Sequence, residues 1–227
     1  MKLINDDCLE ALKEFDDNSV DYVLTSPPYN IGRSRITKSG QKAKYEHFKD
    51  KNPNYLQWNI QIIDELFRVT RKHIFYNIQA NWINKKDVYK LIGNYSDKLI
   101  QNFIWTKENP PPASAQYGIT NSVEYILALS DETRIKGNKI HSKNHIHTIE
   151  KPKKIKGHNA VMNKKISDYF IINFTKENEI ILDPFMGSGT TGISCVELNR
   201  NFVGIELVKE YYDFAVERIN NTQTGLF

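Results

Sequence analysis

The stretch DPFMGSGTTG, residues 183–192, decides the fold of this chain. It follows the apolar run EIIL (179–182), which is typical of a buried strand, and it opens a segment with helical spacing. Its glycines have the spacing Gly-x-Gly-x-x-Gly, which lets the backbone approach a ligand closely. Glu206 ends the next strand-like run, where a dinucleotide-binding fold has the carboxylate that accepts hydrogen bonds from ribose. The pattern therefore predicts a site for a nucleoside-containing cofactor.

The position of this motif indicates which nucleoside fold to expect. A fold that binds NAD normally begins with the glycine motif and builds the rest of its sheet afterwards. Here only residues 207–227 follow Glu206, so we expect the other strands to come from earlier sequence. This order favours a rearranged nucleoside-binding sheet over an NAD-binding one.

Strand-like and helix-like runs alternate along the chain. The strand-like runs are 2–4, 20–25, 73–78, 99–105, 122–130, 179–182 and 201–206. Helical spacing runs from Cys8 to Phe15 and over 55–70, 82–93, 161–174, 190–199 and 208–220. The alternation predicts an α/β fold of three layers, with a mixed, mostly parallel sheet of seven strands. No helix separates 99–105 from 122–130, so we expect those two strands to pair antiparallel at one edge.

Length and composition set the broad class. The chain has 227 residues, of which 40% are hydrophobic, and we predict a single domain over residues 1–227. It has no apolar run long enough to cross a bilayer, and its two cysteines are far apart and lack metal-ligand spacing. We therefore expect a cytoplasmic protein that has no disulfide framework and does not bind membranes.

Basic residues concentrate in two polar segments, at about 30–53 and 131–158. Both are longer than ordinary connections, which usually indicates function or disorder. Basic segments favour a polyanionic partner, although solvated loops in a lysine-rich protein are an equally good interpretation of the charges alone.

The second motif is SPPY, within VLTSPPYNIG (23–32). An apolar strand leads directly into Ser26, Pro27, Pro28 and Tyr29. Two prolines fix two φ angles and push the residues before them into extended conformations. The segment is therefore predicted to be a stiff bracket with an aromatic ring at its end.

Together, TSPPY near the start and DPFMGSGTT near the end resemble the β-group of S-adenosylmethionine-dependent DNA amino-methyltransferases. In that group the catalytic motif precedes the cofactor motif, which is a circular permutation of the usual order. The resemblance covers nearly the whole chain. It implies a Rossmann-like methyltransferase fold, S-adenosylmethionine as the cofactor and double-stranded DNA as the partner. A homodimer and a cognate restriction endonuclease are further expectations of the family.

The resemblance also implies the residues that hold the cofactor. LINDDCLEAL (3–12) is similar to the segment around the adenine, and FVGIEL (202–207) to the ribose segment. HNAVMNKKISDYF (158–170) is similar to the segment that helps to hold the methionine end, with asparagine at position 159 where the family often has proline. The predicted cofactor residues are Asp7, Cys8, His158, Asn159, Ala160, Asp183, Phe185, Gly187, Ser188, Gly189, Thr190 and Glu206. Of these, Asp183 has the alternative role of ordering the loop, and Thr190 that of capping the helix.

The SPPY bracket suits the chemistry of an exocyclic amine. Its lone pair is delocalised into the base, so the enzyme must localise that lone pair and align it behind the methyl group. The Ser26 hydroxyl and the Pro27 carbonyl can each accept one amine hydrogen, Pro28 stiffens that carbonyl, and Tyr29 can stack on the base. A base within a duplex cannot reach such a pocket, so we expect base flipping.

The target base is cytosine N4 or adenine N6. Family members with serine before Pro-Pro-Tyr tend to act on cytosine, so Ser26 favours N4, with adenine N6 as the alternative. RNA amino-methylation and an inactive DNA-binding module are less favoured. Neither cysteine follows a proline, which argues against methylation of cytosine C5. Protein glutamine methylation is opposed because its glycine motif comes first.

Two further groups of residues are set aside. Four histidines at 141, 145, 147 and 158 lie close together, but no cysteine is nearby, and we predict no metal site. Trp58, Trp82 and Trp105 are expected to be core residues rather than platforms for bases.

Overall fold

Strands and helices alternate through the computed structural model, which describes residues 1–30, 51–108, 120–135, 137–138, 143–149 and 161–223. The strands are β1 (Lys2–Ile4), β2 (Val20–Thr25), β3 (Thr70–Ile78), β4 (Leu99–Lys107), β5 (Val123–Leu129), β6 (His145–Thr148), β7 (Ile180–Asp183) and β8 (Asn201–Ile205). The helices are α1 (Cys8–Lys13), α2 (Tyr55–Val69), α3 (Lys85–Asn94), α4 (Lys164–Phe174), α5 (Thr190–Glu197) and α6 (Lys209–Gln223).

All the strands belong to one sheet with the order β1-β8-β7-β2-β3-β5-β4-β6. Strand β5 runs antiparallel to both of its neighbours, and every other recorded pair is parallel. The predicted α/β fold with a mixed, mostly parallel sheet is therefore confirmed.

The described sheet has eight strands rather than the predicted seven, because β6 lies within a segment predicted to be a loop. Its sequence, HIHT, is short and has only Ile146 and Thr148 facing inward. The Trp105 indole donates a hydrogen bond to the Thr148 hydroxyl over 2.9 Å, which anchors the strand beside β4. The predicted antiparallel pair of β4 and β5 is confirmed, but β6 occupies the edge outside it.

Helices cover both faces of the sheet. Helices α1, α2 and α3 pack on one face against side chains such as Val23 and Ile74. Helices α4, α5 and α6 pack on the other face against Leu24 and Phe75, the next residues along the same strands. This alternation with a period of two is what a sheet buried on both faces requires, and it produces the predicted three layers.

One predicted helix begins later than its periodicity suggested. Helix α3 starts at Lys85 rather than at residue 82, because Asn81 forms a turn before it. The Asn81 side-chain oxygen accepts hydrogen bonds from the backbone N–H groups of Ile83 and Asn84, over 2.8 and 3.1 Å. This local pairing competes with the helix and delays its start.

The sheet gathers several loops at one edge. Strands β1, β8, β7, β2 and β3 are parallel, so the segments that follow them leave from the same side. Strands β2 and β7 are direct neighbours, with Val23 opposite Leu182. The antiparallel strand β5 begins at this edge. In the described ranges, no helix is long and apolar enough to span a membrane.

Candidate active site

The SPPY segment leaves the end of β2 and is held from outside by polar side chains. The Tyr55 hydroxyl donates to the Pro28 carbonyl oxygen over 2.9 Å. The amides of Asn81 and Asn84 both donate to the Tyr29 carbonyl oxygen, over 3.1 and 2.8 Å. These bonds fix the backbone of a segment whose φ angles the prolines already restrict, so the predicted bracket is rigid.

The Tyr29 hydroxyl lies in a buried polar network. It is 2.8 Å from the Ser26 hydroxyl, and it donates to a carboxylate oxygen of Glu124 over 2.8 Å. The Asn77 amide donates to the Tyr29 hydroxyl and to Glu124, over 2.8 Å each. Burial, followed by the charge of Glu124, raises the pKa of the Tyr29 hydroxyl well above its ordinary value. The residue as a whole is half-buried, so part of its surface remains open to solvent.

A short stem lies directly after this segment. The Asn30 side chain donates to the Asn52 carbonyl oxygen over 3.0 Å and accepts from the Asn52 backbone N–H over 2.7 Å. The chain therefore enters and leaves the segment 31–50 at one point, beside the SPPY bracket.

The glycine loop follows β7 and leads into α5. Gly187 and Gly189 have φ angles of 51° and 78°, in the left-handed region that favours glycine. Gly192 serves packing instead, because a Cβ there would lie 2.5 Å from Ile219 and 2.7 Å from the Phe202 ring. Two of the three motif glycines thus shape the loop, and the third allows α5 to approach α6 and β8.

Asp183 links the glycine loop to the SPPY strand. One of its carboxylate oxygens accepts from the Thr25 hydroxyl over 2.7 Å and from the Phe185 N–H over 3.1 Å. The other accepts from the Thr191 hydroxyl over 2.7 Å. Burial raises the pKa of Asp183 to about 6 despite these bonds. This geometry corresponds to the loop-ordering role that the sequence left open for Asp183.

Glu206 and Asp7 stand at the ends of the adjacent strands β8 and β1. The two Glu206 carboxylate oxygens accept from the backbone N–H groups of Gly187 and Val208, over 3.0 and 2.8 Å. Burial raises the pKa of Glu206. Asp7 caps α1 by accepting from the Leu9 N–H over 2.9 Å. Burial, with a smaller contribution from Asp7, raises the pKa of the neighbouring Cys8 thiol to about 12.

The remaining residues of the loop line the same region. The Ser188 side chain is buried, and the Phe185 ring packs 5.6 Å from the ring of Trp58. Thr190 begins α5, but its N-cap is Gly189. The Thr190 hydroxyl is buried without a hydrogen-bond partner in the described part of the chain, so capping does not account for it. A buried hydroxyl without a partner, next to glycines with positive φ, is consistent with a polar ligand that binds at this loop.

Some predicted residues fall outside the described ranges. These are His158, Asn159 and Ala160, together with most of the two basic segments. Of the clustered histidines, His145 and His147 are described, and a ring nitrogen of each lies 2.9 Å from the Thr106 hydroxyl. Within the described ranges, no group of three or more potential metal ligands occurs.

The sequence did not point to three residues of the site, namely Asn77, Glu124 and Lys107, which forms an ion pair with Glu124. They lie on β3, β4 and β5, far from SPPY in sequence, and a single polar residue in a strand gives little local signal. The expectation for Trp82 was wrong, since it is 86% exposed in the turn before α3. Trp105 is buried as expected, and Trp58 packs against the core.

Comparisons with known proteins now place the chain in a family. The model of a family described as DNA methylase, of the N6/N4 type, matches residues 20–217. The SmaI type II methyltransferase of Serratia marcescens is 30% identical, and the match covers 96% of this chain and 90% of that protein. This chain belongs to the DNA methylase family.

Two solved structures are also similar. The PvuII DNA methyltransferase, described as cytosine-N4-specific, has a TM-score of 0.77 and 18% identity, covering 98% of this chain and 90% of that one. At that identity the likeness concerns the fold alone. The M1.HpyAVI methyltransferase, described as a SAM complex, has a TM-score of 0.69 and 25% identity, covering 96% and 98%.

Proposed function

We propose that this member of the DNA methylase family moves a methyl group from S-adenosylmethionine to the N4 amine of a cytosine flipped out of duplex DNA. One observation carries the proposal. SPPY and the glycine loop leave the neighbouring parallel strands β2 and β7, and Asp183 at the end of β7 accepts from Thr25, the residue before SPPY, and from Thr191 in the glycine motif. An amine held by the first and a cofactor held by the second therefore meet at one edge of the sheet.

The residues present fit the cofactor. Glu206 would accept from the ribose hydroxyls, since each of its oxygens retains a lone pair beyond its bond to the backbone. The segment around Asp7 and Cys8 would border the adenine. The unpaired Thr190 hydroxyl and the backbone from Phe185 to Gly189 would contact the rest, and His158, Asn159 and Ala160 the methionine end. When bound, S-adenosylmethionine supplies an electrophilic methyl group. M1.HpyAVI, the relative described as a SAM complex, supports this assignment.

The SPPY residues would prepare the amine. Ser26 would accept one amine hydrogen through its hydroxyl oxygen, and the Pro27 carbonyl would accept the other. No donor to that carbonyl occurs in the described part of the chain. Pro28 and the hydrogen bond from Tyr55 to its carbonyl hold the two acceptors in place, so these acceptors need no rearrangement as the reaction proceeds. The exposed part of Tyr29 would stack on the flipped base.

The DNA surface would surround this edge. The basic segments at about 30–53 and 131–158 would contact phosphates, so affinity for DNA should fall as salt rises. Trp82 lies on the same edge, with the Lys85 ammonium 4.8 Å from its ring centre, which suits a contact with DNA. Residues 1–227 would form one methyltransferase domain. A homodimer and a cognate restriction endonuclease are parts of the proposal that the family suggests.

The choice of cytosine rests on Ser26. The description of the PvuII enzyme as cytosine-N4-specific is consistent with it, although that likeness concerns the fold. Adenine N6 is the second candidate, because both amines present two hydrogens and the same hydroxyl can accept from either.

The test is methyl transfer from labelled S-adenosylmethionine to unmethylated duplex DNA of mixed sequence and, in a parallel reaction, to RNA. Nucleoside digestion and mass spectrometry identify the product. We expect N4-methylcytosine. N6-methyladenine would support amine methylation but reject cytosine as the target base. Transfer to RNA alone would reject DNA as the substrate. The absence of any transfer by a protein that binds S-adenosylmethionine would overturn the proposed activity.

A further inference from the structure

A buried carboxylate stands behind the SPPY bracket and is not needed to hold the backbone there. Glu124 lies near the start of β5, and its side chain is only 4% exposed. It forms an ion pair with Lys107 of β4 and accepts from the Tyr29 hydroxyl and the Asn77 amide, over 2.8 Å each. A buried carboxylate with three donors around it is a fixed acceptor of hydrogen bonds.

Counting protons gives the direction of every bond in this network. An ionised carboxylate can only accept, so the one proton of the Tyr29 hydroxyl points to Glu124. The Ser26 and Tyr29 hydroxyls are 2.8 Å apart, and one of them must donate. Because the Tyr29 proton is already engaged, the Ser26 proton points to Tyr29. The raised pKa of Tyr29 supports this, since the hydroxyl keeps its proton.

The consequence concerns the amine of the substrate. With its own proton turned inward, the Ser26 oxygen presents lone pairs and no hydrogen to an incoming group. The Asn77 amide donates to Tyr29 and Glu124 over 2.8 Å and approaches the Ser26 oxygen over only 3.3 Å, so it does not consume both lone pairs. An amine that offers hydrogens therefore meets an acceptor.

We propose that Glu124 is a positioning residue that acts through Tyr29 to fix the Ser26 hydroxyl as an acceptor for the amine of the target base. The inference rests on the proposed function, and it gives the Tyr29 hydroxyl a role separate from stacking by its ring. Without the carboxylate, the Tyr29 hydroxyl is free to donate to Ser26. The Ser26 proton then turns outward and opposes the amine hydrogens.

The first test replaces the charge and keeps the shape. In Glu124→Gln, the rate of a single turnover at saturating S-adenosylmethionine and DNA should fall about 10- to 100-fold. The dissociation constants for both should stay within about two-fold of wild type, because neither is a ligand of Glu124. A purely structural role would instead weaken binding and lower the thermal midpoint together with the rate. A wild-type rate would overturn the inference.

A second variant keeps the test decisive if Glu124→Gln does not fold. Tyr29→Phe retains the ring and removes the hydroxyl that connects Glu124 to Ser26. It should also lose about tenfold in rate, and combining it with Glu124→Gln should add little, because both break the same connection. A wild-type rate in Tyr29→Phe, or fully additive losses, would reject the connection.

The matched control is Asp131→Asn. This carboxylate pairs with Lys98 at the opposite end of β5 and is exposed, so its loss should leave the rate unchanged. Failure of the proposed function is distinguishable, because wild-type protein would then methylate no DNA amine. If wild type methylates DNA and the variants match it, only the inference about Glu124 fails.

Discussion

The two halves of the site are built in different ways. The cofactor half uses backbone groups from short loops, such as the N–H groups of Gly187 and Val208 that bond to Glu206. The amine half uses side chains from the segment after β2 and from three other strands, among them Ser26, Asn77 and Glu124. A site made of backbone depends on local conformation, whereas a site made of side chains depends on the register of distant strands. The two halves should therefore fail in different ways when they are changed.

Asp183 is the residue that both halves share, so it gives the largest expected effect. Its pKa is about 6 in the folded protein, above the ordinary 3.8, so folding favours its protonated form. Its contribution to stability is therefore fully present only below its unfolded pKa of about 3.8, and it is lost progressively as pH rises through about 6, by about 3 kcal/mol in total. In Asp183→Asn this pH dependence should vanish.

Urea unfolding of both proteins from pH 4 to pH 7 measures this. The free energy of unfolding of Asp183→Asn, relative to wild type, should rise by about 2 kcal/mol between pH 4 and pH 6. Parallel curves for the two proteins would show that Asp183 is not the group that titrates.

Ser26→Ala should break the amine half alone. Loss of one preorganised polar partner of the reacting group should lower kcat about 100-fold, which corresponds to about 2.7 kcal/mol. Affinity for S-adenosylmethionine, measured by calorimetry, should not change, because the cofactor half does not use this hydroxyl. The control is Ser96→Ala, the same substitution at an exposed position after α3, which should retain full activity. A parallel loss of cofactor affinity would contradict the separation of the two halves.

Gly192→Ala should break the packing beneath the cofactor half. The added Cβ would lie 2.5 Å from Ile219, so α5 and α6 must move apart. We expect a loss of about 2 kcal/mol in the free energy of unfolding. The matched control is Gly93→Ala in α3, where a Cβ meets nothing within 4 Å. That change should stabilise the protein by about 0.5–1 kcal/mol, so equal effects of the two substitutions would contradict the packing argument.

Glu206→Gln should give the smallest of these effects, and of the two ligands it should affect only the cofactor. The neutral amide accepts hydrogen bonds less strongly and turns a donor toward one of the two backbone N–H groups. The dissociation constant for S-adenosylmethionine should rise about tenfold, or about 1.4 kcal/mol, while that for DNA stays constant. An unchanged affinity for the cofactor would remove Glu206 from the proposed ribose contacts.

The same difference explains what could be predicted from the sequence. The glycine loop, its flanking strand and helix, and Glu206 follow one another within about 25 residues, so spacing alone revealed them. The strands with long apolar runs were also predictable, and their positions differ from the structure by only a few residues. Strand β6 was missed because HIHT is short and only half apolar, and its neighbour β4 stabilises it.

The network of the amine half could not be predicted in this way. Nothing near Glu124 marks it as more than a polar residue in the strand VEYILAL. It reaches Tyr29 only because β5 inserts between β3 and β4, with Glu124 opposite Trp105. Trp82 was misjudged for a related reason, because the Asn81 turn that exposes it depends on bonds to the SPPY backbone.

The pairing of Asn30 with Asn52 has a consequence for exchanging parts between enzymes. Two reciprocal hydrogen bonds close the ends of the segment 31–50 before any residue within it is considered. These two bonds offset part of the entropy cost of bringing the ends together. That cost grows only slowly with the length of the insert. We therefore expect residues 31–50 to be exchangeable as a unit. A segment from another methylase, grafted between these two asparagines, should leave the sheet and both halves of the site in place.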